Sequence, residues 1–117
     1  MNVEWIKCGT EWCPFQTVDL SKVQAVGVYA IWHAANAMAG VPARYVRIGQ
    51  GDVKERIAKH RSDPDITRYA PFGLWVTWAA VPQGLLNGVE NYLADKLDPL
   101  VGERFPNVVP IQVNLPA

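Results

Sequence analysis

Cysteine, histidine and methionine are scarce in this chain of 117 residues, each occurring twice, and net charge is missing altogether, with 11 basic residues against 11 acidic ones. Two cysteines, Cys8 and Cys13, are too few for the disulfide framework of a small secreted domain, so they read as a reduced pair in a cytoplasmic protein. A zinc centre on their loose C-x4-C spacing needs two further ligands, and His33 and His60 are the only histidines. Zero net charge means that no global field draws the protein to DNA, RNA or an anionic membrane. Residues 23–43 carry no charge, but Gln24, Gly27, His33, Asn36, Gly40 and Pro42 interrupt them, which argues against a hydrocarbon-spanning helix. No signal peptide is visible, because Glu4 and Lys7 precede any apolar run. Internal repeats and low-complexity tracts are also lacking.

What the chain does have is an ordinary globular composition, half apolar and about a fifth charged, at a length that suits one domain with one core. Its charge is unevenly spread. Arg44, Arg47, Lys54, Arg56, Lys59, Arg61 and Arg68 oppose only Asp52, Glu55, Asp63 and Asp65, making residues 44–68 net +3, while the rest of the chain, with four basic and seven acidic residues, is net −3. A polyanion should therefore meet the 44–68 face first.

The hydrophobic pattern gives the order of elements. Residues 25–32 alternate as a strand, with Val26, Val28, Ala30 and Trp32 on one face and Tyr29 and Ile31 on the other, so that Tyr29 points away from the more apolar side. Residues 43–49 form a second strand, with Val46 and Ile48 on one face and Tyr45 and Arg47 on the opposite one. The Ala-rich connection between them is long for a hairpin and has room for a short helical turn. Asp52, with Glu55 three residues on, is an N-cap signal for a helix from about Val53 to Ser62, and Asp63–Pro64 ends it. Val53 and Ile57 form its inward stripe, while Arg56 and His60 lie together on its flank. Residues 71–81 read as a third, well-buried strand. Residues 83–97 form a second amphipathic helix with Leu85, Leu86, Val89, Tyr92, Leu93 and Leu97 inward and Lys96 snorkelling. Glu90 falls at the edge of that buried stripe, where a carboxylate is costly unless a cation or donor meets it; Asp95 falls on the far side. A proline-punctuated, extended tail follows Pro99.

Taken in order, Gly27-Val28-Tyr29, Arg47-Ile48-Gly49, Arg56-x-x-x-His60 and the later helical Glu90 resemble the GIY-YIG endonuclease superfamily. The resemblance covers about residues 25–100, leaving residues 1–24 as an N-terminal extension and 101–117 as a tail packed on the same domain. It departs from the family where the second motif begins with Arg47 instead of tyrosine, Tyr45 lying two residues earlier, and in the lengths of two loops. It implies an α+β fold with a small three-stranded antiparallel sheet flanked by helices, and a metal-dependent DNA endonuclease. On that resemblance Tyr29 is the general base or orients water, Arg56 holds the scissile phosphate, His60 orients or relays a proton, and Glu90 binds Mg²⁺ or Mn²⁺. Arg47, Tyr45 and Lys59 are the substrate-binding candidates, and the family's late asparagine falls on Asn107 or Asn114. Tyrosine ordinarily titrates near pH 10, so base duty needs nearby positive charge to lower it, which Arg47 and Arg56 can supply.

Simpler readings stand beside these. Tyr29 is also accounted for as a strand aromatic packed under the helix, Arg56 as an i, i+4 partner of Asp52, His60 as a helix-end cation, and Glu90 as an ion-pair partner. Trp75 and Trp78 fall on opposite strand faces and read as core and cover, not as a base-stacking platform. The alternative to a nuclease is a non-catalytic module on the same scaffold that binds nucleic acid or a protein.

Overall fold

The computed structural model describes residues 1–102 and 108–116. Seven regular elements follow in order: β1 (Cys13–Pro14), β2 (Val26–His33), β3 (Arg44–Asp52), α1 (Val53–His60), α2 (Pro64–Thr67), β4 (Leu74–Ala80) and α3 (Leu86–Leu97), with short 3₁₀ turns at 37–39, 70–72 and 83–85. The architecture is α+β, and the sheet has four antiparallel strands in the order β1-β4-β2-β3, not three. The extra strand comes from the N-terminal extension. A two-residue strand has too short a pattern to be seen in sequence, and it exists only because β4 offers it an edge.

Helix signals were locally encoded. Asp52 caps α1, its carboxylate accepting from the Glu55 amide at 3.2 Å. The helix ends at His60, two residues before the expected Ser62, because Asp63 starts a new one: its carboxylate accepts from the Asp65 amide at 3.0 Å, with Pro64 at the first helical position. The Ala-rich connection does hold a helical turn at Ala37–Ala39, capped by Asn36.

Both faces of the sheet are covered. On one lie Phe15, Tyr29, Ile31, Val46, Ile57 and Trp78, closed over by α1, α2 and the N-terminal segment. On the other lie Val28, Ala30, Ile48, Val89, Leu93 and Val113, closed over by α3 and the tail. Tyr29 therefore does not point to a less apolar side, because the N-terminal segment, with Phe15 fully buried, makes that face a core of its own. Arg61 fixes the segment there, donating to the carbonyls of Phe15 at 2.9 Å and Val18 at 2.7 Å. On the second face the two chain ends clasp each other. The Val3 amide donates to the Asn114 side chain at 2.7 Å, the Asn114 amide group returns a bond to the Val3 carbonyl at 3.0 Å, and the Trp5 indole donates to the Asn114 carbonyl at 2.9 Å.

Two further expectations are corrected. In the β2–β3 register Ile31 pairs with Arg47 and Trp32 with Tyr45, so Val46 is an extra residue, a β-bulge. The bulge puts Val46 into the Tyr29 core beside Arg47 and turns Tyr45 to the face of Ile48, breaking the simple alternation that paired Val46 with Ile48 and Tyr45 with Arg47. Cys8 and Cys13 are also not reduced but joined in a disulfide. It closes a tight loop, in which the Cys8 amide donates to the Glu11 carbonyl at 2.8 Å, and anchors the loop to β4 through the fully buried Cys13. Among the described residues no helix is long and apolar enough to cross a membrane.

A disulfide closing so short a loop is worth about 2 kcal/mol by restriction of the unfolded chain. The Cys8→Ser variant should lose about that much unfolding free energy, read as a lower urea midpoint.

Candidate functional site

The second-motif glycine explains itself once the phenol is placed. Tyr29 on β2 pairs with Gly49 on β3, and its ring lies across that glycine so closely that a Cβ there would stand 2.1 Å from the hydroxyl oxygen. Any side chain at 49 would expel the phenol. A Cβ on Gly51 would likewise press on Arg56 Nε at 3.2 Å, whereas one on Gly102 would stand in ordinary contact with the Arg47 guanidinium at 3.5 Å. Gly51 and Gly102 also have positive φ, 123° and 111°, which disfavours a side chain at either position.

Tyr29 is 1 % exposed, so its hydroxyl needs an internal partner, and it has one in His60 Nε2 at 2.6 Å. Burial, followed by the charges of Arg47, Arg56 and Lys59, drives the imidazole pKa down to about 4, against the opposing pull of Asp63. His60 is thus neutral near pH 7. Burial also raises the Tyr29 pKa, and the nearby Arg47 and Arg56 only partly counter it. The expected lowering by positive charge is outweighed by desolvation. With both groups neutral, the hydroxyl and Nε2 share one hydrogen bond, and the tautomer that carries its proton on Nδ1, 4.0 Å from the Asp63 carboxylate, lets the phenol donate to Nε2.

Glu90 on α3 is the third buried polar group of the site, at 6 % exposed. Burial lifts its pKa to about 7, against the attraction of Arg47 and Arg56. Near neutrality it is poised between acid and carboxylate. Tyr29, Arg47, Arg56 and Glu90 line one cleft of about 880 Å³, floored by the glycines of β3 and rimmed by Gln50 and Gln83. Gln50 hydrogen-bonds Asn87 of α3 across that rim. Arg47 is held where residues 100–102 run beside β3, the Val101 amide donating to the Val46 carbonyl at 2.8 Å. Its Nε is buried without a hydrogen-bond partner among the described residues. Such a donor costs about 1–3 kcal/mol until an acceptor reaches it.

The chain matches no protein-family model, no curated protein and no solved structure.

Of the residues expected at a site, Tyr29, Arg47, Arg56 and Glu90 converge on the cleft, and His60 stands behind Tyr29 as its hydrogen-bond partner. Tyr45 does not join them, because the bulge turns it to the opposite face. Lys59 is exposed on α1 and does not line the cleft. Asn114 belongs to the clasp of the chain ends, and Asn107 lies outside the described residues. Gly102 and Gln83 are cleft residues that sequence reasoning missed; neither carries a signal, since their role comes from a chain crossing. No group of three or more His, Cys, Asp or Glu side chains suited to hold a metal is present among the described residues.

Two pKa displacements of opposite sign make the site a near-balanced device. Glu90 keeps its proton in the native state between its ordinary 4.5 and about 7, so its contribution to stability falls as pH rises through that window. His60 refuses a proton in the native state between about 4 and its ordinary 6.5, so its contribution rises with pH there. Each is worth about 3 kcal/mol across its full window. The Glu90→Gln variant should therefore gain about 2–3 kcal/mol of unfolding free energy relative to wild type between pH 4.5 and 7, measured by urea titration in EDTA. Arg47 lowers all three pKa values, so Arg47→Met should raise those of Tyr29, His60 and Glu90 together, a common direction that NMR titration of the three side chains reads directly.

Proposed function

We propose that the cleft binds a phosphodiester of DNA and hydrolyses it with a divalent metal, in the manner of the GIY-YIG nucleases that the motifs resemble. The observation that carries the reading is the meeting of two guanidiniums, a buried carboxylate and a buried phenol in one cleft. A phosphodiester transition state needs cationic donors for its non-bridging oxygens, a group to take a proton from water, and stabilisation of the leaving oxygen.

Arg47 and Arg56 hold the phosphate, and the Arg47 Nε that lacks a partner gains one. The attacking water gives its proton to the Tyr29 oxygen as the phenol passes its own to His60 Nε2. The resting imidazole is a weak base, but a bound phosphate offsets the very arginines that lower its pKa. Binding of the substrate thus strengthens the base. Asp63 lies on the Nδ1 side, where it stabilises the imidazolium.

Glu90 is the residue to hold Mg²⁺ or Mn²⁺. One carboxylate fits that duty, since Mg²⁺ usually keeps several waters and takes a further ligand from substrate phosphate. Arg47 and Arg56 would oppose a bare dication at Glu90, and a phosphate held by the two guanidiniums would offset that charge. When bound, the metal supplies stabilisation of charge on the leaving oxygen. Arg47 in place of tyrosine, with the other acid of the cleft wall, Asp52, engaged in capping α1, also favours a second reading: a module that grips the backbone without cutting it.

The protein should nick plasmid DNA in Mg²⁺ or Mn²⁺. Glu90→Ala should abolish nicking while retaining a cooperative melt, and Arg56→Ala should slow it by about 10²–10³-fold. Each arginine removed should also reduce the salt dependence of DNA binding by about one phosphate contact. Salt-sensitive binding with no metal-dependent nicking would assign the cleft to the non-catalytic module.

A further inference from the structure

The bulge at Val46 has a second result on the other side of the sheet. Tyr45 pairs with Trp32, and Trp32 pairs with Trp75, so three aromatics from three adjacent strands stand side by side on one face. None is fully covered. Trp32 and Trp75 lie outside both buried clusters, although the face continues directly from the Val28–Ala30 core. The disulfide loop adds a fourth ring: Trp12 meets Trp32 edge-on, with centroids 5.4 Å apart and planes at 88°, while Tyr45 tilts towards Trp32 from the other side at 5.9 Å.

The Trp12–Trp32 pair stands between two cavities. One, of about 210 Å³, is walled by Trp12, Trp32, Tyr45 and Arg44. The other, of about 340 Å³, is walled by Trp12, Trp32, Trp75 and Lys7. A cavity of about 150 Å³ already accommodates a benzene ring, so each has room for a planar heterocycle. Cations flank both slots: Lys7 lies 4.5 Å from the Trp12 ring centre, and the exposed Arg44, which also reaches Asp98 at 3.7 Å, borders the smaller one. Thr10 and Glu11 on the rim of the larger slot add polar acceptors.

We infer that the Tyr45–Trp32–Trp75 row, walled by the disulfide-held Trp12, is a stacking site for unpaired nucleobases of a single strand. Each base has a flat π-face that an aromatic slot receives irrespective of sequence, and the strand's phosphates are met by Lys7 and Arg44. A neutral glycan also stacks on aromatic rows, but carries no charge for the flanking cations to meet. The choice of a nucleobase rests on the phosphate reading of the cleft. Tyr45 and Arg47 are two residues apart on β3 but on opposite faces, and β3 is the edge strand of the sheet, so one nucleic-acid strand meets both the stacking row and the phosphate site by passing round that edge.

The test compares a short single-stranded oligodeoxynucleotide with an abasic oligomer of equal length, which keeps every phosphate and lacks the bases. Binding is read by anisotropy and by quenching of tryptophan fluorescence. The base-bearing strand should bind roughly ten-fold or more tightly than the abasic one. Trp32→Ala and Trp12→Ala should each remove most of that difference while leaving abasic binding unchanged, and Trp32→Phe should restore it. Trp12, on the peripheral loop, gives the comparison should Trp32→Ala not fold. Equal binding of the two strands, lost in Arg47→Ala, overturns the stacking site and leaves the cleft reading standing. Trp32-dependent binding of the base-bearing strand with no binding of the abasic one supports the stacking site and removes the cleft reading. Binding of neither strand, or tryptophan quenching by a neutral oligosaccharide alone, overturns the stacking site.

Discussion

The buried hydrogen bond between Tyr29 and His60 is the contact on which the rest of the site depends. A phenol that is 1 % exposed and an imidazole that is 6 % exposed need internal partners to be buried, and they partner one another. That bond fixes the rotation of α1 against the sheet, and with it the direction in which Arg56, one turn before His60, enters the cleft. It also explains the glycines. The phenol needs the space above residue 49, and Arg56 comes close to residue 51, so two polar side chains rest where a glycine makes way for them.

The second constraint is electrostatic. Glu90 is buried on α3 against a pair of arginines drawn from β3 and α1, and none of these three charges is comfortable alone. Desolvation wins over attraction for the carboxylate, which leaves it half-titrated near neutral pH, and it wins again for Tyr29. A site in this condition favours an added anion: it would offer an acceptor to Arg47 and offset the positive charge that, after burial, lowers the His60 pKa. The proposed phosphodiester chemistry follows from that demand more than from any single residue.

One inserted residue divides the molecule into two chemistries. Because Val46 bulges from β3, Arg47 stays with Tyr29 and the charged cleft, while Tyr45 joins Trp32 and Trp75 on the opposite face. The fourth strand and the Cys8–Cys13 loop then bring Trp12 to the same row. The N-terminal extension is thus no appendage, since it closes the core over Tyr29 on one face and builds an aromatic wall on the other.

Local chemistry by itself determined the helix cap at Asp52, the stop at Asp63–Pro64, the inward stripes of α1 and α3, the three principal strands, and the anomaly of Glu90; that Asp63 also caps the short α2 was not read from it. These are properties of residues within a turn or two of each other, and periodicity and capping record them directly. The bulge, the fourth strand, the disulfide, the glycine seats and the aromatic row were decided only in three dimensions. Each depends on which strand lies beside which and in what register, a relation set by packing between segments far apart in the chain. Arg47 shows the boundary well: its charge and its strand could be read from the sequence, but its buried Nε, without a partner among the described residues, comes from a bulge on one side and a returning chain at Gly102 on the other.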